Sequence, residues 1–494
     1  MITRALLLSL LALLFCTACA APRFPKPSPL AKDFTFLKAV DRAVARADCR
    51  NTSYYQIPDA PYLRTSRFWQ AVGKAKQEDV PFRFWLKRLR DIDREIRQGE
   101  LTCLDATTRQ QLLIEAGAGH NLSLKKRIET SANNLYQHDL QQPADIRKIL
   151  KSLTVPDDYS LWLRTFGVYP LSRIPIVIGV NNAYADRRQW FRQNISEVVD
   201  LNAIEETGPS RVNPLSKDEV AAIVAAARNN PLAVPLPDQK QTRQLVEHFA
   251  PIYRQEVKFA ADHWGAISID DENFTVTRDK VVYYYLDHQI IAGQPLLRIN
   301  YVVWHPARTG DVVPWFERGQ FDGITYGVVL APDGHLVMTT TMNNCGCYLQ
   351  FYPAEKRVDS IREKRFNPNV LAPQNTPQPK PSERVAITMT SGWHQVVRLE
   401  ATSSDYTQQY ELQPYSELEQ LPAIDNRTRN LFDQRGVLVG TERAERFFFF
   451  GMGIPSVGSM RQRGHQPTTL LGREHYDDPD LLDVNFAFTD KALK

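Results

Sequence analysis

The sequence predicts an α+β fold, in which a helical N-terminal half is followed by an antiparallel, β-rich C-terminal half that forms a sheet or a sandwich. Two observations carry this prediction. Up to about residue 230, apolar residues recur at steps of three and four, as they do in amphipathic helices. After about residue 239, short runs rich in β-branched and aromatic residues follow one another, and few helices interrupt them.

The helical half contains two well-marked helices. The first has an apolar stripe at helical spacing, made of Phe82, Trp85, Leu89, Ile92 and Ile96. The second spans residues 218–228, where Ser216 and Glu219 form a capping-box pattern. Prolines at positions 231, 235 and 237 then mark a boundary. We therefore predict a helical domain over residues 33–235 and a β-rich domain over residues 239–490.

In the β-rich half, the turn Pro332-Asp-Gly334 lies between runs at residues 324–330 and 336–342 and predicts a hairpin. Other strands are predicted at residues 281–286, 297–304, 347–352, 384–390, 394–401 and 406–413. The four phenylalanines at 447–450 predict one more strand, which leads into a Gly-rich turn with Ser456. Since the G-x-S-x-G pattern of a nucleophile elbow is absent, we interpret Ser456 as a turn residue.

The N-terminus has the pattern of an export signal. Arg4 precedes an apolar run at residues 5–15, and small residues follow it. The run is shorter than the roughly 20 residues that span a bilayer. Thr17 and Ala18 before Cys19 resemble a bacterial lipoprotein signal, which predicts a signal peptide over residues 1–18 and a lipid anchor, including palmitate, on Cys19. The alternative is ordinary signal-peptidase cleavage after Ala20, and it stays open.

The residues after Cys19 extend the lipoprotein prediction. Ala20, rather than Asp, follows the cysteine, and by resemblance to bacterial lipoproteins this implies the outer membrane. We therefore expect a lipid-anchored protein of the cell envelope on the periplasmic face of the outer membrane. Prolines at 22, 25, 27 and 29 predict a stiff tether over residues 19–32.

The amino-acid composition limits the number of domains and the classes of binding partner that are compatible with the sequence. A chain of 494 residues with 43% hydrophobic and 23% charged residues is typical of globular proteins and favours two domains. A net charge of +4 argues against a nucleic-acid-binding protein, which would carry a basic stripe. After the N-terminus, the most apolar segment is residues 174–180, and its length is that of a core segment.

Beyond Cys16 and Cys19, the cysteines form two groups. Cys49 and Cys103 are expected to form a disulfide in an oxidising compartment, which contributes about 4 kcal/mol on the chain-entropy model. Cys345 and Cys347 flank Gly346, and two thiolates on one tight turn can hold a soft metal such as zinc or copper. His305 is the candidate third ligand. The alternatives are a strained Cys345–Cys347 disulfide, a redox-active pair or inert thiols.

Several strings resemble a family of exported bacterial proteins to which no activity is assigned. They include Trp304-His-Pro-Ala-Arg308, Phe321-Asp-Gly-Ile324 and, as the most specific, Cys345-Gly-Cys-Tyr348. The resemblance spans most of the chain after the signal peptide. In that family histidines flank the cysteine block, whereas Asn343 and Leu349 stand there in this chain, which weakens a metal site.

Three functions are compatible with these features. The favoured one is a non-enzymatic envelope lipoprotein that binds a protein partner or a small ligand, because no strong catalytic motif is present. The second is a metal-dependent hydrolase, in which a Cys/His site activates water. The third is a periplasmic thiol-redox protein. Whether the protein is an enzyme is left open by the sequence.

Overall fold

The computed structural model describes residues 23–24, 28–75, 79–117, 123–270, 273–364, 370–380, 382–403 and 405–490. The predicted signal peptide and Cys19 lie outside these ranges. Helices dominate the N-terminal half and a large sheet dominates the C-terminal half, so the predicted α+β class is confirmed. Within the described ranges, no helix combines the length and the apolar character needed to cross a membrane.

The helices are α1 Pro29–Arg46, α2 Arg67–Ala75, α3 Asp79–Cys103, α4 Ala106–Glu115, α5 Leu124–Gln141, α6 Pro143–Ser152, α7 Leu161–Phe166, α8 Tyr169–Arg192, α9 Ile195–Val198, α10 Lys217–Ala227, α11 Gln239–Phe249 and α12 Glu445–Phe449. The strands are β1 Tyr55–Ile57, β2 Ala60–Thr65, β3 Ile204–Pro209, β4 Ile252–Glu256, β5 Ile267–Asp270, β6 Asn273–Val276, β7 Val281–Ile291, β8 Gln294–Arg308, β9 Gly319–Leu330, β10 Leu336–Asn343, β11 Gln350–Pro353, β12 Val358–Ile361, β13 Arg384–Met389, β14 Val396–Thr402, β15 Gln408–Pro414, β16 Leu421–Pro422, β17 Thr428–Arg429 and β18 Phe486–Phe488.

The first helix begins inside the range predicted for the tether. Ser28 caps α1 by accepting a hydrogen bond from the backbone N–H of Ala31, and Pro29 occupies the first turn, where its missing N–H costs nothing. Phe24, upstream of the cap, is buried in the helical core. The chain thus joins the folded body before residue 32.

A disulfide joins Cys49, just after α1, to Cys103 at the end of α3, with their Cα atoms 5.8 Å apart. This confirms the predicted pair. The apolar stripe predicted on α3 is also confirmed, since all five of its members are buried in one core with α1 and α5. Ser216 and Glu219 form the predicted capping box at the start of α10.

A ten-stranded sheet has the order β11-β10-β9-β8-β7-β15-β3-β4-β13-β14. The hairpin predicted around Pro332-Asp-Gly334 is present as β9 and β10. The sheet is mixed, because β15 lies parallel to β3 and β7, and β13 lies parallel to β4, while the remaining neighbours are antiparallel. The purely antiparallel arrangement expected from the sequence is thus modified at the centre of the sheet.

Strand β3 lies inside the range predicted for the helical domain, yet it pairs with β4 and β15 in the large sheet. The two halves are also joined by buried polar contacts. Gln462 donates to Asn51 over 2.8 Å, and Asn51 donates to Glu419 over 3.0 Å. The proline-rich segment after α10 therefore connects elements that share contacts, rather than separating independent bodies.

Candidate functional site

A cavity of about 380 Å³ lies beneath α8, and we call it the α8 cavity. One wall is the inner side of α8, with Ile176, Val180, Ala183 and Arg187. The facing walls are largely apolar and are formed by Phe316, Leu349, Phe351, Leu371, Phe449, Ile454, Val457 and Leu471. Cys345 and Cys347 line the same cavity. An apolar enclosure with a few polar groups is typical of a small-molecule site.

The two cysteines lie on the turn between β10 and β11. The backbone N–H of Gly346 donates to the carbonyl of Asn343 over 2.8 Å, and that of Asn343 donates to the carbonyl of Cys347 over 3.0 Å. Gly346 has φ +93°, and a Cβ there would lie 2.3 Å from the carbonyl oxygen of Pro467. Only glycine fits this position, which explains the residue between the cysteines.

The two thiols differ in acidity. Burial would raise the pKa of Cys345, but a hydrogen bond with Cys347 and the charges of Arg308 and Arg443 lower it to about 7. The same hydrogen bond, together with burial, raises the pKa of Cys347 well above its usual value. Both thiols are free. One nucleophilic thiolate beside one protonated thiol is the arrangement found in reactive cysteine pairs.

A buried ionic network supports this turn from behind. Arg308 bonds both carboxylate oxygens of Asp322 over 2.9 and 2.8 Å, and it also bonds Glu317 over 3.0 Å. Glu317 accepts hydrogen bonds from the hydroxyl of Tyr348 over 2.6 Å and from the indole N–H of Trp393 over 2.9 Å. These contacts hold the turn in place, because every charged group in the network is paired with an opposite charge or accepts a hydrogen bond.

Two polar side chains of the cavity keep unused hydrogen-bonding capacity. Oε1 of Glu445 and Nε of Arg187 are buried and have no hydrogen-bond partner among the described residues. Burial, followed by the charges of Glu317 and Cys345, raises the pKa of Glu445 to about 8, so that it is protonated at neutral pH. The guanidinium of Arg187 lies 4.1 Å from the ring centroid of Tyr348. A protonated acid and a cation thus line the cavity, and each has one buried atom without a hydrogen-bond partner among the described residues, while the terminal nitrogens of Arg187 bond Ala183 and Gln395.

His305 lies on β8 and is fully buried. Its Nε2 is 3.2 Å from Oε1 of Gln255, and its ring stacks on His394 with centroids 3.8 Å apart. Burial and the charge of His394 lower the pKa of His305 well below its usual value. Among the described residues, no three or more His, Cys, Asp or Glu side chains are placed to hold a metal ion. Zinc or copper binding by Cys345, Cys347 and His305 stays a prediction.

The strand predicted at residues 447–450 is wrong, because this segment forms helix α12 and a following 3-10 turn. Glu445 and Phe449 are one helical turn apart and both face the α8 cavity, so a helix is what places them on one side. Ser456 follows this turn and lines a different cavity, together with Asp158 and His465. The cysteines were predicted as candidates, whereas Glu445 and Arg187 were not, since neither lies in a motif.

Comparisons with family models, with curated proteins and with solved structures found no match to this chain. The resemblance to an exported bacterial family stays a prediction.

Proposed function

We propose that this protein binds an elongated apolar ligand with an oxygen-bearing end in the α8 cavity. The observation that carries the proposal is the pairing of a largely apolar cavity of about 380 Å³ with two buried polar groups, Glu445 and Arg187, that have atoms without a partner among the described residues. Buried polar atoms normally find partners in the folded state. An oxygen atom of the ligand would supply the missing hydrogen-bond partners of Glu445 and Arg187, and an alkyl chain would contact the apolar walls.

The chemistry of the polar end favours a carboxylate or an ester over a cationic head. Arg187 supplies a permanent positive charge, and protonated Glu445 supplies a hydrogen-bond donor. An ammonium group would instead meet the guanidinium of Arg187, whose positive charge repels it. Long-chain carboxylic acids and acyl esters are therefore the ligand class that we propose.

For the place of action, we propose the cell envelope, with the protein held by an acylated Cys19 on the periplasmic face of the outer membrane. The pattern of Arg4, the apolar run at residues 5–15 and Cys19 supports this assignment. Mass spectrometry of the N-terminus tests it. A diacylated or triacylated N-terminal Cys19 is expected, and an unmodified start at Ala21 would contradict it.

The ligand proposal is tested with two tryptophan variants of the same helix. Ala183 lines the cavity, whereas Ala185 is exposed on α8 and does not line it. We expect Ala183→Trp to abolish binding of a fluorescent long-chain fatty acid, because the indole fills the cavity, and Ala185→Trp to bind as the parent does. Equal binding by both variants, or none by the parent, would overturn the proposal.

A second candidate function is thiol–disulfide exchange, and it is favoured by the unequal acidities of Cys345 and Cys347. The Cys345 thiolate would attack a sulfur of a small substrate disulfide, breaking its S–S bond and releasing one thiolate, which takes up a proton. Cys347 would then lose its proton and attack Cys345. A second substrate thiol is released, and the Cys345–Cys347 disulfide is the oxidised product.

This candidate is tested with an aromatic disulfide that releases a coloured thiolate. The parent is expected to release two thiolates per protein and to form the internal disulfide. The Cys347→Ser variant is expected to release one and to accumulate a mixed disulfide on Cys345. Release of two thiolates with two mixed disulfides on the parent would show that the two thiols react independently without forming the internal disulfide, and it would exclude the proposed function.

A further inference from the structure

A group of large apolar side chains is exposed around the α8 cavity, and we call it the apolar face. It consists of Trp162, Phe166, Ile174, Ile178, Phe448 and Trp315, which are between 56% and 72% exposed. The apolar segment at residues 174–180 was expected to be of core length, yet α8 presents Ile174 and Ile178 to solvent. Contiguous exposed apolar surface of this kind usually marks an interaction site.

The members of the apolar face come from elements that are packed together. A Cβ on Gly167, between α7 and α8, would lie 2.2 Å from Cα of Gly451, so the two backbones touch there. Arg164 of α7 donates to the carbonyl of Met452 over 2.9 Å. Helix α12 lies just before residues 450–452, and the ring centroid of its Phe448 is 5.8 Å from that of Trp315. The face is therefore one surface rather than scattered residues.

Helices α8 and α12 each have one side that lines the cavity and an opposite side that is exposed to solvent. On α8, Ile176 and Val180 line the cavity, whereas Ile174 and Ile178 point outward. On α12, Phe449 lines the cavity and Phe448 is exposed. Together with Leu171, Ile174 and Ile178 form an outward stripe at helical spacing, as in helices that lie in a membrane interface.

Arginines are the charged residues in two of the stretches that carry the apolar face, whereas Asp311 and Glu317 flank Trp315 in the third. Residues 159–185 contain two arginines and no Asp or Glu, and residues 446–473 likewise contain arginines and no acidic residue. Aromatic and aliphatic side chains bordered by arginines suit a bilayer with anionic headgroups, where the apolar groups reach the acyl layer and the guanidinium groups reach phosphate.

We propose that the apolar face docks on an anionic phospholipid surface, with α8 lying in the plane of the interface. This contact is separate from the anchor predicted at Cys19, and it holds the α8 cavity against the membrane. A second copy of the chain or a protein partner is the other occupant to be excluded. The arginines in residues 159–185 and 446–473 favour lipid over a second copy, since two such stretches facing each other would bring like charges together.

The test measures whether the apolar face contacts the acyl chains of the bilayer, and not only whether the protein is attached to the membrane. The full acylated protein is reconstituted in vesicles of phosphatidylethanolamine and phosphatidylglycerol whose acyl chains carry bromine, which quenches tryptophan at short range. We expect the fluorescence of Trp162 and Trp315 to be quenched, and the quenched fraction to fall in Trp162→Phe. Vesicles of neutral phosphatidylcholine are expected to quench less, because the arginines lose their partners.

Two substitutions provide a matched comparison. Ile174→Asp with Ile178→Asp is expected to weaken the docking of the face by about tenfold per residue and to remove the quenching, although the anchor keeps the protein on the vesicle. Ile424→Asp, at an isoleucine that is 81% exposed between β16 and β17, is expected to leave quenching unchanged. Circular dichroism verifies that both variants are folded.

Equal quenching of the parent and the double variant would overturn the proposal. Loss of a dimer in the double variant, seen by sedimentation without any change in quenching, would assign the face to a second copy and would also overturn it. Either result would leave the ligand proposal standing, because fatty-acid binding in the α8 cavity is measured without vesicles.

Discussion

The backbone N–H of Cys347 donates a hydrogen bond to Sγ of Cys345 over 3.3 Å. The turn that makes this contact is fixed by Gly346, and both cysteines line the α8 cavity. A sulfur that accepts from the backbone is stabilised as a thiolate. The reactive group of the site is thus Cys345.

The first prediction concerns the acidity of Cys345. Its alkylation by iodoacetamide should rise with pH around a midpoint of about 7, because only the thiolate reacts. Measured in a Cys347→Ala background, the midpoint should shift upward, since the hydrogen bond from the neighbouring thiol is lost. A midpoint above 9 in the parent would show that burial outweighs Arg308 and Arg443.

The second prediction concerns Glu445. Fatty-acid affinity should fall as pH rises through about 8, because Glu445 then ionises and loses the proton that it donates to the ligand. Glu445→Gln keeps a donor without the charge and should flatten this dependence. Binding titrations at pH 6.5 and 9 measure it. A parent affinity independent of pH over this interval would remove Glu445 from the ligand site.

The third prediction concerns the close packing of the turn between α7 and α8 against residues 450–452. Gly167→Ala should loosen the two helices from residues 450–452, because the new Cβ would clash with Cα of Gly451. Alkylation of Cys345 should then become faster and fatty-acid binding weaker. The matched control is Asn182→Ala on α8, at an exposed position that does not line the cavity. If both variants behave alike, backbone contact at Gly451 does not hold the cavity wall.

The fourth prediction concerns pH and stability. Burial opposes a charge on His475, but interactions with Asp158 and Asp478 outweigh it and raise the pKa of His475 from 6.5 to about 9. Because the folded-state pKa is the higher one, the stabilisation is complete below pH 6.5 and is lost as pH rises towards 9. The loss is on the order of 3 kcal/mol.

Urea denaturation at pH 6 and 9 measures this dependence. His475→Gln should reduce the dependence and leave the part that comes from Glu445, whereas His335→Gln, on the turn between β9 and β10, should retain all of it. A parent whose unfolding free energy is the same at both pH values would contradict the assignment of a charged His475.

The fifth prediction concerns the Cys49–Cys103 disulfide. Cys49→Ala with Cys103→Ala should lower the free energy of unfolding by about 4 kcal/mol, since the bond closes a loop of 54 residues. Thermal denaturation with and without reductant measures the same quantity in the parent. The double variant should be insensitive to the reductant, because Cys345 and Cys347 are already free thiols. An unchanged melting temperature would mean that the disulfide does not contribute to the stability of the folded state.

The sequence predicted those parts of the fold that depend on local pattern. The stripe on α3, the capping box at Ser216 and the turn at Pro332-Asp-Gly334 each follow from residues close together in the chain. Strand β3 was missed because its short segment, ending in Gly208 and Pro209, has no alternation and is stabilised by its partners β4 and β15.

The candidate site could be predicted only in part for the same reason. Cys345 and Cys347 form a recognisable pair, so the sequence indicated them. Glu445 and Arg187 come from helices that are distant in the sequence, and they line one cavity only in the folded chain. Their importance depends on burial and on unpaired atoms, which are properties of tertiary packing. The exposed stripe of α8 was likewise hidden, because an apolar segment is usually expected in a core.

The central claim, that the α8 cavity holds an apolar ligand beside Cys345, is tested most directly by protection of that thiol. The rate at which N-ethylmaleimide alkylates Cys345 is measured in Cys347→Ser protein with and without a saturating long-chain fatty acid, and a short-chain acid serves as the control. We predict that the long-chain acid slows alkylation strongly and that the short-chain acid does not. An alkylation rate unchanged by the long-chain acid would contradict ligand binding in this cavity.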